Sequence, residues 1–247
     1  MNIIVTGVSS GIGRDLTKEL IKYSHQVWGI SRRGELLKEL ENNIKSPNFL
    51  YTAGDVSDKK FWDSFINKLS TKGFKPEVIV FNAAVYENDL IGTIDINKLS
   101  YMIDVNFISI MRGVKQFIEK YNKNLHFITI SSTSAFKGTS AEGIGYAASK
   151  AAVSVAFESL YQKYFNVKNI KFSTVYFGPV KTDMLRFKKY PPMLMTRKKA
   201  VKVIIKAIKE QKPFYFTPKI VFFVLKVMSL LPKSMATRLM TLIQKNI

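Results

Sequence analysis

Tyr146 and Lys150 stand four residues apart in the string YAASK. On a helix, side chains at that spacing share a face and interact. An ammonium beside a phenol favours the phenolate and lowers the tyrosine pKa from its reference of roughly 10. The pair is therefore expected to act as a general acid/base toward the proton of a carbonyl or alcohol oxygen. Tyr-x3-Lys is a weak signal alone. The apolar run HFITISS upstream strengthens it, because Ser131 and Ser132 fall at the carboxyl end of an expected strand, where open α/β sheets bind ligands.

A second cluster lies near the N-terminus. A short apolar run leads into TGVSSGIG, residues 6–13, and then into a helical pattern. Gly7, Gly11 and Gly13 permit a tight turn and a close approach of backbone to a pyrophosphate, and a helix N-terminus offers free N–H groups to an anion. Ser9, Ser10 and Ile12 sit among these glycines and share the expected contact. A plain tight turn between strand and helix is the bland reading of the same glycines. The next strand ends in GISRRGELL, which puts Ser31, Arg32 and Arg33 where NAD-binding folds carry a carboxylate for the ribose. Guanidinium matches phosphate in a forked geometry, so a 2′-phosphate, and with it NADP(H), is favoured over NAD(H).

These residues need a frame. Candidate strands are Asn2–Thr6, Gln26–Ile30, Asn48–Ala53, Val78–Asn82, His126–Ser131 and Lys171–Tyr176, with a last one in PFYFTP. Helical periodicity marks Arg14–Tyr23, Lys59–Lys72, Ser100–Tyr121, Tyr146–Phe165 and a basic stretch over 197–211. Strict alternation predicts an α/β fold: a Rossmann-like, doubly wound parallel sheet in three layers, one domain over residues 1–247. Runs such as EVIVF and HFITI are continuously apolar, as strands covered on both faces should be.

The composition excludes several chemistries. The chain has no cysteine, which removes disulfides, thiolate catalysis and cysteine-ligated zinc. Its two histidines, His25 and His126, are too few for a His-based metal site, and no metal is expected. No secretory signal is visible, and no stretch reaches the roughly 18 apolar residues of a spanning helix, so the expected location is cytoplasmic. The net charge is +20. Residues 181–247 carry 16 Lys and Arg against only Asp183 and Glu210. Such a field attracts anionic partners, but no nucleic-acid recognition motif accompanies it.

The motifs TGVSSGIG, NAA at 82–84, DVN at 104–106, ISS at 130–132 and YAASK, in this order, resemble the short-chain dehydrogenase/reductase family over roughly residues 1–183. The resemblance implies a hydride transfer between a nicotinamide and a carbonyl or alcohol carbon, without metal. It implies Tyr146 as acid/base and Lys150 as the residue that lowers its pKa and binds the nicotinamide ribose. Ser132 would orient the substrate oxygen, with Ser131 as the competing choice. Asn106 would anchor a water in a proton relay, or merely cap or kink its helix. Asp55, with Val56 beside it, would contact the adenine, although GD and SD are also turn chemistry. Asn82, Ala83 and Ala84 would line the cofactor site, with Gly178, Val180 and Thr182 near the carboxamide. Two departures stand out: Phe177-Gly178 replaces the family's usual Pro-Gly, and Ala84 replaces a glycine.

The last quarter is where substrate choice is expected. Residues 184–200 correspond to the family's substrate flap and mix Met184, Leu185, Phe187, Tyr190, Met193, Leu194 and Met195 with Arg186, Lys188 and Lys189. An apolar flap points to a hydrophobic substrate: acyl, lipid, steroid or isoprenoid-like. Packing on the core is the other reading. Residues 219–247 form an apolar and basic helical extension, including a helix expected over Ser234–Lys245. It suits peripheral contact with a membrane, or cover for the pocket or a subunit interface. A homodimer or homotetramer is the family-level expectation. A silent cofactor-binding regulator or scaffold, and a keto-sugar reductase, are the alternative functions.

Overall fold

Ile3, Ile4 and Val5 are all fully buried, yet they point to two different cores. Ile3 and Val5 join one apolar cluster and Ile4 the other, because successive side chains on a strand face opposite sides. The same split recurs with Val78 and Val80 against Ile79 and Phe81, and with Ile128 against Phe127. Sheet faces covered on both sides require this pattern.

The computed structural model describes residues 1–87, 93–136, 143–182, 184, 193–232, 234–235 and 237–238. Its strands are β1 (Asn2–Thr6), β2 (Gln26–Ser31), β3 (Phe49–Ala53), β4 (Val78–Phe81), β5 (Leu125–Ser132), β6 (Ile170–Phe177) and β7 (Phe214–Thr217). They form one sheet in the order β3-β2-β1-β4-β5-β6-β7, with every pairing parallel. The strand order reverses direction at β1 and β4, which opens a crevice at their carboxyl ends.

Helices α1 (Gly11–Lys22), α2 (Gly34–Ile44) and α7 (Arg197–Glu210) bury Leu16, Leu20, Leu37, Leu40, Ala200 and Ile204 on one face. Helices α3 (Phe61–Thr71), α4 (Ile96–Ile103), α5 (Ser109–Tyr121) and α6 (Ile144–Lys163) cover the other. Helix α8 (Lys219–Ser229) follows β7. The result is the three-layered, doubly wound α/β architecture expected.

Several bounds differ from the sequence reading. Helix α2 is an addition. Helix α1 starts at Gly11, not Arg14, because the glycine motif itself forms the first turn. Helix α4 starts at Ile96, where the Asp95 carboxylate accepts from the N–H groups of Asn97 (3.0 Å) and Lys98 (3.1 Å). The single helix expected over Ser100–Tyr121 is α4 and α5 joined by a π-helical turn, Asp104–Ile108. The end of the stretch expected as flap, 184–200, is built into the fold. Met195 is buried, bridges to Val180, donates its N–H to Pro179 and accepts from Lys181, and α7 begins two residues later. Leu185, Arg186, Phe187, Lys188, Lys189 and Tyr190 lie outside the described residues, as does most of the helix expected over Ser234–Lys245.

The second core is aromatic. Phe157 of α6 meets Phe81 edge-on at 6.4 Å and Phe172 at 5.6 Å, so the helix that carries Tyr146 and Lys150 is keyed into β4 and β6. Phe157 is 1% exposed. Phe157→Ala is expected to lower the unfolding free energy by about 3–5 kcal/mol. Urea denaturation measures this, and a loss under about 1 kcal/mol contradicts the packing described.

Candidate functional site

The crevice above β1 and β4 is built on close backbone approach. Gly7 and Gly11 adopt φ of 75° and 58°, where other residues are strained. A Cβ on Gly13 would fall 2.3 Å from the Gly7 carbonyl oxygen, and one on Gly7 would fall 2.8 Å from the Ala83 Cα. Asn82 locks this turn: its Nδ2 donates to the carbonyls of Thr6 (3.0 Å) and Gly7 (3.2 Å). The Thr6 hydroxyl accepts from the N–H groups of Asn82 (3.0 Å) and Ala83 (2.9 Å). Beyond the turn, the N-terminus of α1 carries no side-chain cap, so its first-turn N–H groups remain for an anion.

The crevice is a cavity of about 740 Å³. It brings together Gly7, Ser9, Ser10, Gly11, Ile12, Ser31, Arg32, Arg33, Asp55, Val56, Asn82, Ala83, Ala84, Ser132, Tyr146, Lys150, Gly178, Val180 and Thr182. Of the residues singled out in the sequence, Gly13 and Asn106 do not line it. Gly13 sits beneath the turn as a packing contact. A loop that admits no Cβ, an open helix N-terminus and a cavity of this size fit a dinucleotide.

Arg32 and Arg33 have separate surroundings. Arg32 hydrogen-bonds the Tyr101 hydroxyl and lies 3.8 Å from an Asp55 carboxylate oxygen. Arg33 spans the glycine loop: its Nε and one terminal nitrogen donate to the Ser9 hydroxyl (3.2 and 2.7 Å), and that terminal nitrogen also reaches the Ser10 hydroxyl (2.9 Å). Asp55 closes a turn by accepting from the N–H (2.9 Å) and hydroxyl (2.7 Å) of Ser57 while still facing the cavity. Its two readings are thus compatible.

Asn106 is fully buried in the π-helical turn. Its side chain accepts from the Val85 N–H (2.8 Å) and donates to the Val85 carbonyl (2.9 Å) and the Ser149 hydroxyl (3.0 Å). Both side-chain N–H groups and one lone pair of the amide oxygen are thus bonded to protein. What the residue does is tie the segment after β4 to α6.

At the far end, the Tyr146 hydroxyl hydrogen-bonds Ser132. The Ser131 hydroxyl turns away, toward Ser154 (2.7 Å) and the Lys150 carbonyl (3.3 Å). Both serines line the cavity, and Ser132 is the one that acts on the phenol. The Lys150 ammonium lies 5.6 Å from the Tyr146 ring centroid and donates to the Ile130 carbonyl at 2.7 Å. Burial pushes the Tyr146 phenol up to about 12, against the lowering effect of the Ser132 bond, and the neighbouring Tyr86 raises it further. The direction is opposite to the lowering expected from the sequence, and burial is its largest cause. Burial also lowers Lys150 to about 8. Tyr86 was not singled out by sequence. Its ring packs edge-on against Tyr146 at 5.2 Å and lines the cavity. Its place two residues beyond the NAA string, past a strand's carboxyl end, was the available signal.

A parallel Rossmann-like sheet, a glycine-rich phosphate cradle and a serine–tyrosine–lysine group at one cavity define an oxidoreductase of the nicotinamide-dependent class. Comparison with known proteins makes this particular: the chain belongs to the short chain dehydrogenase family, whose profile matches residues 1–191. It is 27% identical over 196 residues to mouse dehydrogenase/reductase SDR family member 7, covering 75% of this chain and 57% of that one. It is 28% identical over 191 residues to a farnesol dehydrogenase of Aedes aegypti, covering 74% and 78%. Among solved structures, a short chain dehydrogenase from Burkholderia cenocepacia in complex with NADP superposes with a TM-score of 0.81 at 17% identity, covering 96% of each chain.

Burial of Lys150 makes stability depend on pH. Its folded pKa of about 8 lies below the usual 10.5, so between those values the unfolded chain holds more protons and stability rises with pH. Lys150→Met removes the titration. From pH 7 to pH 10 the parent protein should gain on the order of 2–3 kcal/mol relative to this variant. Urea unfolding at the two pH values measures it, and parallel pH slopes exclude a depressed lysine.

Proposed function

We propose that the protein is an NADP(H)-dependent oxidoreductase that reduces a carbonyl, or oxidises the matching alcohol, on a hydrophobic substrate. The observation that carries this reading is the Ser132–Tyr146 hydroxyl pair at one end of a cavity whose other end holds Arg33 over Ser9 and Ser10. The nicotinamide group supplies or accepts the hydride, and the chain's residues do the rest. The turn at Gly7 and Gly11 and the first turn of α1 hold the pyrophosphate. Arg33, with the two serine hydroxyls it already touches, takes the 2′-phosphate, and Arg32 lies beside it. Asp55 and Val56 face the adenine, Thr182 the carboxamide and Lys150 the ribose.

Ser132 and Tyr146 donate to the substrate oxygen and stabilise the negative charge that develops there. A phenol raised to about 12 stays protonated at neutral pH, so it serves as the acid for carbonyl reduction. The Lys150 ammonium, fixed by Ile130, sits beside the tyrosinate that remains. Val85, Tyr86, Phe177 and Met184 line the same cavity and favour an apolar substrate, such as an acyl, steroid or isoprenoid-like compound. The same reading takes the enzyme as a cytoplasmic homodimer or homotetramer paired through α4, α5 and α6, and Val155 on α6 stands 64% exposed.

Two measurements test this. NADPH should bind at least about tenfold more tightly than NADH, a difference of roughly 1.4 kcal/mol, and Arg33→Ala should erase most of it. Fluorescence titration reads both constants, and tighter NADH binding rejects the phosphate site. Tyr146→Phe should lower turnover by about 100-fold or more while leaving NADPH affinity within about twofold. An NADPH-oxidation assay over apolar aldehydes and ketones shows whether it does, and undiminished turnover removes the assigned acid.

A further inference from the structure

Helix α8 has two faces of unequal use. Phe222 points inward, stacked on Phe216 at 3.6 Å and packed against Phe136 at 5.7 Å, and Met228 is also buried. The outward face carries Ile220, Phe223, Val224, Val227 and Leu230, which are 55%, 66%, 47%, 47% and 82% exposed. Their spacing of i, i+3, i+4, i+7 and i+10 makes one stripe along the helix. Phe222 and Met228 fix the rotation of the helix, so this stripe cannot turn inward without exposing them. Contiguous apolar surface of this kind marks an interaction site.

We propose that the α8 stripe seats on the surface of an anionic phospholipid bilayer. The charge around it decides the partner. From residue 211 to 247 the sequence has six Lys and Arg and no Asp or Glu, and Lys219 is exposed at the head of the stripe. Lysines beside an apolar helical face meet anionic headgroups while the side chains enter the acyl boundary. A second copy of the chain would bring its own +20 against the same basic surface. The stripe also has no Tyr, Trp or Arg, the types that anchor protein interfaces. An element of 11 residues is too short to span a bilayer, and among the described residues no helix is long and apolar enough to cross one. The helix therefore lies on the surface. Nothing in this inference depends on the catalytic reading.

The test uses the full chain and two kinds of vesicle: phosphatidylcholine alone, and phosphatidylcholine with roughly a third phosphatidylglycerol. The protein should co-sediment with the second, at least about tenfold more weakly with the first, and less at high salt. The double variant Phe223→Ser/Val227→Ser should lose about tenfold of the anionic binding without a change in melting temperature or NADPH affinity. Leu230→Ser, at the most exposed position, should lose binding in the same direction if the pair unsettles the helix. Binding equal in parent and variants, or absent in the parent, overturns the proposal. So does a parent oligomer that the variants split, since the stripe would then be an interface between copies. NADPH titration of the same samples reports on the catalytic proposal separately.

Discussion

One buried hydrogen bond organises the candidate active site. The Lys150 ammonium donates to the Ile130 carbonyl at 2.7 Å, and so ties α6 to the carboxyl end of β5. Ser132 is two residues further along β5 and Tyr146 one turn back on α6. The bond therefore helps to set the distance between two side-chain hydroxyls that line the cavity. It comes at a cost, because a charge is held where water is scarce. The serine hydroxyls of Ser131 and Ser154, both bonded to the Lys150 carbonyl, and Phe157 beneath them hold the helix against the sheet. A second tie runs through Asn106, whose side chain joins the Val85 backbone to Ser149 on α6. The wall that carries Val85 and Tyr86 is thereby fixed to the helix that carries Tyr146.

Burial acts on the two titratable partners in opposite directions. It raises the phenol and lowers the ammonium, since both shifts disfavour the charged form. Burial thus drives both members toward neutrality, and the Ser132 hydrogen bond works against it at the phenol. A tyrosine that has just given up its proton finds its counter-ion one turn away. If Tyr146 is the acid, a reduction starts from the protonated phenol, the form that its raised pKa favours. On the proposed reading this geometry suits reduction at neutral pH.

The fold was largely legible because its signal is local. Each expected strand lies within one residue of the observed one at either end, since apolar runs bounded by turn residues carry that information. The glycine loop was legible for the same reason. Helix α2 escaped because GELLKELENNI follows directly on the Arg pair and buries fully only Leu37 and Leu40 among interleaved carboxylates. The direction of the Tyr146 shift was out of reach. Spacing puts an ammonium near the phenol, but the depth of burial is a property of the assembled layers. The destination of Asn106 was hidden likewise, because Val85 lies 21 residues away in sequence. Residues 195–200 continue the basic and apolar composition of the stretch before them, whereas the bridge of Met195 to Val180 is a tertiary pairing.

Adjacent arginines show most clearly what a sequence withholds. Arg32 and Arg33 are equivalent as types, and both line the cavity. Arg32 has a carboxylate at 3.8 Å, but both groups are more than a third exposed, so that pair contributes little to stability. The pairing still offsets part of its charge. Among the described residues no carboxylate pairs with Arg33, whose donors rest on two neutral hydroxyls of the glycine loop. Its fork is held in place while its charge stays uncompensated. An anion arriving at that corner displaces no counter-ion and finds donors from a guanidinium and two serines already converged. Such preorganisation is what separates a phosphate site from a merely basic surface. On the proposed reading, the loop serines join Arg33 in holding the extra phosphate of NADP(H).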